Sequence, residues 1–387
     1  GSEEIRVEAK SGTSIRLTID RDVQWVAQNA ISQAVASSKA KSGTVIVMDP
    51  KTGEILAQAS APTFDPNIPS SITVDKLNNP SVQEVYEPGS TGKVITVAAA
   101  MEEGLITPET IFTIPYSMKV SDGVFRDHEK HPTQRLTTTG LLAVSSNTGS
   151  IKIGQKLGKD NLYKYLTKFG IGQSTNSKLP GESAGILHPV KDWSGTSLPT
   201  ISFGQGYSLT AMQSTSVFAT IANNGVRVKP SILAGVVDES GKYTPSAANE
   251  STRVLSEQTA INMRAMMENV VSKNGTAPSA AIDGYRVAGK TGTAERYNTA
   301  CRCYSGYTAS FIGFAPADQP KYVVSVTIQD PKGMHWGGVL AGPVFKKVMG
   351  FVLQNQRISP TPETKTFYSL TEAALKQRSK ITPKSGA

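Results

Sequence analysis

Residues 87–101 read Glu-Pro-Gly-Ser-Thr-Gly-Lys-Val-Ile-Thr-Val-Ala-Ala-Ala-Met, a turn followed by an apolar helix. Residues 94–101 are apolar on nearly every side, and such a helix is expected to be buried. Ser90 and Lys93 are three positions apart, so they share one face of its first turn. Burial would lower the pKa of Lys93 and let it accept the proton of Ser90, while the free N–H groups of the helix start would stabilise an anion. The alternative, a serine cap beside a solvated lysine, fits poorly on a helix this apolar.

Two further motifs follow along the chain, Ser145-Ser146-Asn147 and Lys290-Thr291-Gly292-Thr293. None of the three is specific by itself, because Ser-x-x-Lys also occurs at 38–41 and Lys-Thr-Gly at 51–53. Their contexts differ: residues 38–41 lie in a polar linker, and residues 51–53 fill a hairpin turn in which glycine suits a positive φ. The motif at Ser90 instead opens the apolar helix.

The second motif lies between two predicted helices. It follows the apolar run 141–144 and precedes another helical segment that begins near Thr148. A polar Ser-Ser-Asn at this point predicts that Ser145 and Asn147 face a cleft. The alternative is a helix–helix turn in which these side chains cap the local backbone.

The third motif continues a predicted strand over residues 285–289. Gly289, Gly292 and Ala294 are small, so we expect a substrate backbone to lie directly alongside this strand. An exposed strand edge captures an extended peptide in this way. The motif therefore predicts a peptide-binding edge.

The order of helix and strand signals predicts an α+β fold rather than βαβ alternation. A short strand over 14–19 precedes a helix capped by Asp20, and a hairpin joins Thr44–Met48 to Glu54–Ala59. The remaining predicted elements are helices at 91–103, 137–145, 148–158, 160–169, 210–224, 257–272 and 343–354, and strands at Tyr285–Lys290, Tyr307–Ala315 and Tyr322–Gln329. We expect the two strand groups to share one antiparallel sheet packed with helices, beside a helical subdomain.

The domain organisation follows from these elements. We interpret residues 1–13 as a cloning remnant and the end of an N-terminal region, and residues 14–354 as one domain. Its sheet lobe spans about 14–65 and 283–354, and its helical lobe spans about 66–282. Residues 355–387 are rich in Ser, Thr, Pro and Lys, which is typical of a loose tail.

Composition excludes several classes of protein. The net charge is +9, but the basic residues are scattered singly, so we expect no nucleic-acid partner. No apolar stretch approaches the ~18 residues of a membrane span. The pair His128-x-x-His131 lacks a third ligand pattern, so we expect no metal and no other cofactor. Cys301 and Cys303 could form a small disulfide or remain thiols.

Taken together, the motifs resemble those of the transpeptidase domain of class B penicillin-binding proteins, which shares its three motifs with the serine β-lactamases. The resemblance covers roughly residues 13–354. It extends to Leu17–Asp20 with Gln24, Gly43–Asn67, Tyr86–Ser90, Phe203–Gly206, Ser310–Pro316, Gly337-Gly338 and Pro343–Phe345. It implies the antiparallel sheet and helical subdomain of that fold.

The resemblance also implies a role for each motif residue. Ser90 would be the acylated nucleophile, Lys93 its general base, and Ser145 a proton relay to the leaving group. Asn147 would hold the substrate amide. Lys290, with the substrate-binding residues Thr291, Gly292 and Thr293, would bind the terminal carboxylate of a D-Ala-D-Ala stem peptide. The backbone N–H groups of Ser90 and Thr293 would form the oxyanion hole.

The implied function is a penicillin-sensitive D,D-transpeptidase that cross-links peptidoglycan through an acyl-enzyme on Ser90. β-Lactams would be ligands, and a glycosyltransferase of the division machinery would be a partner. The domain would act on the extracytoplasmic face of the membrane, anchored by an N-terminal segment outside this sequence. The insert Cys301-Arg302-Cys303 is similar to that of septal members from actinobacteria.

Three alternatives share the acylation chemistry. A D,D-carboxypeptidase would release the acyl group to water. A β-lactamase would need a carboxylate to activate that water, and Glu182 follows Asn147 at a suggestive distance. A β-lactam sensor would acylate and then signal through other parts of a longer protein.

Overall fold

The computed structural model describes residues 12–298, 301–361 and 368–381. Its helices are α1 (Arg21–Ser38), α2 (Pro80–Gln83), α3 (Lys93–Glu102), α4 (Thr138–Ala143), α5 (Asn147–Leu157), α6 (Lys159–Lys168), α7 (Ser197–Ser202), α8 (Ala211–Ala222), α9 (Glu257–Val271), α10 (Gly337–Asn355) and α11 (Glu372–Ile381). Within these ranges, no helix combines the length and the apolar character needed to cross a membrane.

The strands fall into two groups. Those of the main sheet are β2 (Ser42–Met48), β3 (Ile55–Ala61), β14 (Ala288–Asn298), β15 (Cys303–Ala315) and β16 (Tyr322–Gln329). The short strands are β1 (Ser14–Leu17), β4 (Val85–Tyr86), β5 (Ile111–Ile114), β6 (Ser117–Val120), β7 (Gly123–Arg126), β8 (Gln134–Thr137), β9 (Leu209–Thr210), β10 (Val226–Val228), β11 (Leu233–Val237), β12 (Tyr243–Pro245) and β13 (Ser251–Arg253).

The main sheet confirms the α+β prediction. Its five strands run antiparallel in the order β14-β15-β16-β2-β3, so the N-terminal hairpin and the late strands do share one sheet. Successive side chains of a strand point to opposite faces. Val45 and Val47 accordingly pack with α1 and α10 on one face, whereas Ile46 and Met48 pack with the helical lobe on the other. Strand β14 lies at the sheet edge.

Helix α3 lies at the centre of the helical lobe. Every residue from Lys93 to Met101 is buried, as the apolar run predicts. It contacts α4, α5, α6 and α9, and its apolar side chains belong to the larger of the two cores. Lys93, a basic residue in the first turn of α3, is therefore removed from water.

Two predicted boundaries were wrong, and one short strand lies outside the main sheet. Strand β14 begins at Ala288 rather than Tyr285, because the backbone N–H groups before it bond elsewhere: that of Tyr285 donates to the carbonyl of Ile282 and that of Arg286 to Thr361 Oγ1. Helix α10 begins at Gly337 rather than 343. A Gly-Gly pair is typical of a loop, but here the absence of side chains lets the helix start pack on the sheet, since a Cβ at Gly337 would lie 2.3 Å from the carbonyl oxygen of Gly292. Strand β1 pairs with β11, not with the main sheet.

The prediction of a loose tail over 355–387 does not hold for the described residues 368–381. Helix α11 lies there, and the backbone before it docks on the domain: Thr137 donates its N–H to the carbonyl of Leu370 at 3.1 Å. Glu372 pairs with Arg135 at 3.0 Å. The composition of the tail could not predict this contact, because the tail docks mainly through its backbone atoms.

The cysteines, whose state the sequence left open, form a disulfide between Cys301 and Cys303. It lies at the tip of the hairpin formed by β14 and β15. Next to it, the rings of Tyr297 and Tyr304 meet edge to face with centroids 5.8 Å apart.

Candidate active site

Ser90 lies in a single 3₁₀ turn, Gly89–Gly92, that leads directly into α3. The prediction that Ser90 opens the α-helix is therefore slightly wrong, since the α-helix begins at Lys93. The turn is held from behind: Gly89 donates its N–H to the carbonyl of Gly204 at 2.8 Å. Gly204 has a φ of +95°, and a Cβ there would lie 1.8 Å from the carbonyl oxygen of Gly89. Only glycine permits this approach.

Lys93 is fully buried and points to the second motif. Its Nζ donates to the carbonyl of Ser145 at 2.6 Å and to Asn147 Oδ1 at 2.7 Å, and lies 3.2 Å from Ser145 Oγ. Burial lowers the pKa of Lys93 to about 7, although the charge of Asp127 opposes this shift. A lysine with this pKa is partly neutral at physiological pH and can accept a proton. Within the described residues, no hydrogen bond joins Lys93 Nζ to Ser90 Oγ.

Ser145 connects the first and third motifs. Its Oγ accepts a hydrogen bond from Lys290 Nζ at 2.9 Å and also faces Lys93 Nζ. Ser145 has a φ of +62°, a conformation that costs a non-glycine residue energy and that is often found at functional sites. Lys290 is fully buried, and burial together with the charge of Lys93 lowers its pKa well below its usual value. Two buried lysines thus share one hydroxyl.

Asn147 begins α5, and its side chain is fixed at both ends. Its Oδ1 accepts from Lys93, and its Nδ2 donates to the carbonyl of Arg126 at 2.9 Å. The alternative of local capping applies to the middle residue of the motif only, because Ser146 Oγ accepts from Gly149 N–H. Ser145 and Asn147 face the cleft, as predicted.

Asp127 is a site residue that the sequence analysis missed. Its Oδ1 accepts the N–H groups of Asn147 at 2.5 Å and Thr148 at 2.9 Å, and its Oδ2 accepts from Ser146 Oγ at 2.7 Å. An aspartate at a helix N-terminus satisfies free N–H groups and favours the helix dipole. Asp127 follows β7, far from α5 in sequence, so no local pattern identifies it.

The third motif lies on the edge strand β14, beside the turn that carries Ser90. Thr293 Oγ1 accepts from Gly337 N–H at 3.1 Å, and Thr291 Oγ1 lies 2.8 Å from Thr276 Oγ1. These two residues line the cleft. The strand is free on its outer side among the described residues, as the peptide-edge prediction requires.

The explanation given for the small residues of β14 was wrong. They face protein, not a substrate. A Cβ at Gly292 would meet Ser310 Oγ at 2.3 Å, and a Cβ at Gly289 would meet the Phe311 ring at 2.5 Å. Ala294 contacts Gly89, whose added Cβ would lie 2.9 Å from that of Ala294. Small residues therefore bring the edge strand against the nucleophile turn.

The cleft has two arms that meet at Ser90, Thr293, His128 and Trp336. The large arm has a volume of about 500 Å³ and extends past Ser145 and Thr291. The small arm has a volume of about 170 Å³ and extends past Asn147 towards Phe203 and Glu295. A site with two arms at one nucleophile can hold a peptide on both sides of the bond that reacts.

Aromatic side chains form one wall of the small arm. The rings of His335 and Tyr307 stack with centroids 4.0 Å apart, and Trp336 meets His128 edge to face at 5.5 Å. Desolvation and the charges of Lys93 and Lys290 lower the pKa of His128 to about 4. His128 is therefore neutral in the cleft at physiological pH.

The remaining candidates are Glu182, which lies outside the cleft, and His131, which lines the large arm. Glu182 is bound within its own loop, where it accepts from Ser174 Oγ at 2.8 Å and Thr175 N–H at 2.7 Å, and it does not line either arm. His131 pairs with Asp127 at 3.0 Å. Across the described ranges, no cluster of three or more His, Cys, Asp or Glu could hold a metal ion.

Similarity to known proteins agrees with this geometry. The family described as the penicillin binding protein transpeptidase domain matches residues 43–350. The chain is 39% identical to penicillin-binding protein PbpB of Mycolicibacterium smegmatis, with 94% of this chain and 58% of that protein covered. It is 34% identical to the peptidoglycan D,D-transpeptidase FtsI of Escherichia coli, with 91% and 58% covered. The chain thus spans somewhat more than half the length of these relatives.

Solved structures show the same fold. Penicillin-binding protein 3 of Mycobacterium tuberculosis superimposes with a TM-score of 0.88 at 37% identity, covering 95% of this chain and 84% of that one. A peptidoglycan synthetase from Bifidobacterium adolescentis gives a TM-score of 0.85 at 33% identity, covering 93% and 65%. The three motifs, their convergence at one cleft and these similarities lead to one conclusion: the chain belongs to the family of penicillin-binding protein transpeptidase domains.

Proposed function

We propose that this protein is a serine D,D-transpeptidase that cross-links peptidoglycan stem peptides and is acylated by β-lactams. The observation that carries the proposal is the arrangement around Ser145, whose hydroxyl is shared by the buried Lys93 and Lys290 between the nucleophile turn and a free strand edge. The proton acceptor Lys93, the proton relay Ser145 and the carboxylate site at Lys290 are therefore adjacent to one another. A relative's structure, that of the M. tuberculosis protein, is described as complexed with aztreonam.

In the first half-reaction, Ser90 Oγ attacks the carbonyl carbon of the penultimate D-alanine. Its proton passes to neutral Lys93, and the N–H groups of Ser90 and Thr293 stabilise the oxyanion. The C–N bond then breaks, and the leaving amine of the terminal D-alanine takes a proton through Ser145. Lys290 and Thr291 hold the carboxylate of that residue, and Asn147 holds the backbone amide of the donor.

In the second half-reaction, an amine of another stem peptide attacks the ester carbonyl on Ser90. The C–O bond breaks, Ser90 recovers its proton from the attacking amine through Lys93, and a new amide joins the two peptides. Glu182, the carboxylate that the sequence offers for activating water in a β-lactamase, is bound within its own loop and does not line the cleft, which favours transfer to an amine over hydrolysis.

The setting of the reaction is also a proposal. The relatives named PbpB and FtsI match over most of this chain, which supports a septal enzyme on the extracytoplasmic face of the membrane. An N-terminal anchor would lie in a part of the longer relatives that this chain does not match, and a glycosyltransferase of the division machinery would be a partner of the full-length protein.

A thioester analogue of an acyl-D-alanyl donor, with and without D-alanine as amine acceptor, tests the proposal. Mass spectrometry of the products separates transfer from hydrolysis. We expect the amide product to dominate once acceptor is present. Hydrolysis that is unaffected by acceptor would identify a carboxypeptidase, and acylation without any turnover, with or without acceptor, would identify a sensor.

A further inference from the structure

His131 lies in the loop between β7 and β8 and lines the large arm of the cleft, but the proposed reaction does not use it. Its Nδ1 lies 2.7 Å from the carbonyl oxygen of Pro132, and its Nε2 lies 3.0 Å from Asp127 Oδ2. Both partners are acceptors. A neutral imidazole carries only one N–H, so only the doubly protonated ring can donate to both of them.

The surroundings of His131 favour this charged form. Its side chain is 15% exposed, and the ring of Tyr116 meets it edge to face with centroids 6.0 Å apart. Burial lowers the pKa of His131, but the two hydrogen bonds and the charge of Asp127 outweigh burial and raise the pKa above its ordinary value. The other titratable residues that line the large arm follow Asp127 in the same loop: His128, Glu129 and Lys130.

Asp127, the partner of His131, has two opposed effects on the site. Its Oδ1 accepts the N–H groups of Asn147 and Thr148 and so anchors the start of α5. Its negative charge also favours protonated Lys93, which opposes the fall in pKa that burial causes. The proposed proton acceptor must be neutral. A cation paired with Asp127 offsets this charge while the carboxylate still holds α5.

We propose that His131 is a positioning residue of the acylation step: held as an imidazolium, it offsets the charge of Asp127, so that Asp127 anchors α5 while Lys93 remains able to accept the Ser90 proton. This inference rests on the proposed function. His131 acts through Asp127, because no hydrogen bond among the described residues joins it to Ser90 or Lys93.

NMR titration of the protein labelled with ¹³C at histidine Cε1 tests the imidazolium without any turnover. The signal of His131 is assigned by its loss in His131→Gln. We expect His131 of the wild-type protein to titrate above 6.5, the ordinary value, and its midpoint to fall in Asp127→Asn, which lacks the carboxylate. A wild-type midpoint at or below 6.5, or a midpoint that Asp127→Asn leaves unchanged, contradicts the proposal.

The pH dependence of acylation by benzylpenicillin tests the effect of His131 on Lys93. His131→Gln removes the positive charge, so the midpoint of the profile should move to higher pH by about half a unit, which is about threefold slower acylation below the midpoint. The plateau rate should be kept, because glutamine can still donate to Asp127. A purely structural role would lower the plateau and leave the midpoint in place, and this result would overturn the proposal.

Two further variants complete the test. His188→Gln removes an exposed imidazole that does not line the cleft, and it should keep the wild-type midpoint. The double variant Asp127→Asn/His131→Gln should have the midpoint of Asp127→Asn, since no carboxylate is left to offset; a further shift would contradict action through Asp127. Failure of benzylpenicillin to acylate the wild-type protein would contradict the proposed function instead, and the NMR titration would still decide the protonation of His131.

Discussion

At the scale of single residues, the proposed reaction depends on the protonation of Lys93. Its pKa of about 7 results from complete burial, and only the neutral amine can take the Ser90 proton. The rate of acylation by benzylpenicillin should therefore rise with pH and reach half its plateau near pH 7. Lys93→Arg should lose roughly 10²–10⁴-fold in this rate, because a guanidinium stays protonated at neutral pH. Stopped-flow measurements of acylation from pH 5 to 9 give the pH midpoint and the rate of the variant, and circular dichroism confirms that the variant is folded. An acylation rate that does not change with pH, or a near-normal rate in Lys93→Arg, would show that Lys93 is not the general base.

At the scale of elements, the hairpin of β6 and β7 positions the start of α5 through Asp127. Asp127→Asn removes a negative charge that favours protonated Lys93, so the pKa of Lys93 should fall and the midpoint of the acylation profile should move to lower pH. Asp127→Ala should in addition slow acylation at the plateau, since Asn147 and Thr148 lose their acceptor. Asp122→Asn, on the exposed turn of the same hairpin, is the control and should keep the wild-type midpoint. A midpoint that stays fixed in Asp127→Asn would show that this carboxylate does not act on Lys93.

At the scale of the whole molecule, the C-terminal segment is part of the domain. A Cβ at Gly140 would lie 1.9 Å from the carbonyl oxygen of Leu370, whereas a Cβ at Gly350 meets nothing within 4 Å. Both glycines are helical, so Gly350→Ala should stabilise the protein by about 0.5–1 kcal/mol, while Gly140→Ala should destabilise it and expose the tail to protease. Thermal unfolding and limited proteolysis compare the two. Equal effects of both substitutions would mean that residues 368–371 do not dock on α4.

Features that depend on neighbouring residues could be predicted from the sequence, whereas features that depend on distant parts of the chain could not. Local patterns predicted three features: the burial of α3, the sheet shared by the two strand groups and the position of Ser145 in the cleft. Each follows from apolar periodicity or from a motif whose residues are close together in the sequence. Asp127 and the docking of the tail at Leu370 could not be predicted, because their partners are backbone groups distant in the chain. Gly292 and Gly337 were misinterpreted for a related reason: the atoms that require a glycine there belong to other strands.

The most direct test of the account is the intact mass of the protein after incubation with benzylpenicillin. We predict a stoichiometric adduct that persists for hours and is absent from Ser90→Ala. Ser38→Ala is the matched control, since Ser38 and Lys41 repeat the Ser-x-x-Lys spacing outside the cleft, and this variant should be labelled as the wild-type protein is. An adduct that survives in Ser90→Ala, or one that forms and clears within seconds, would contradict a slow-deacylating transpeptidase with Ser90 as its nucleophile.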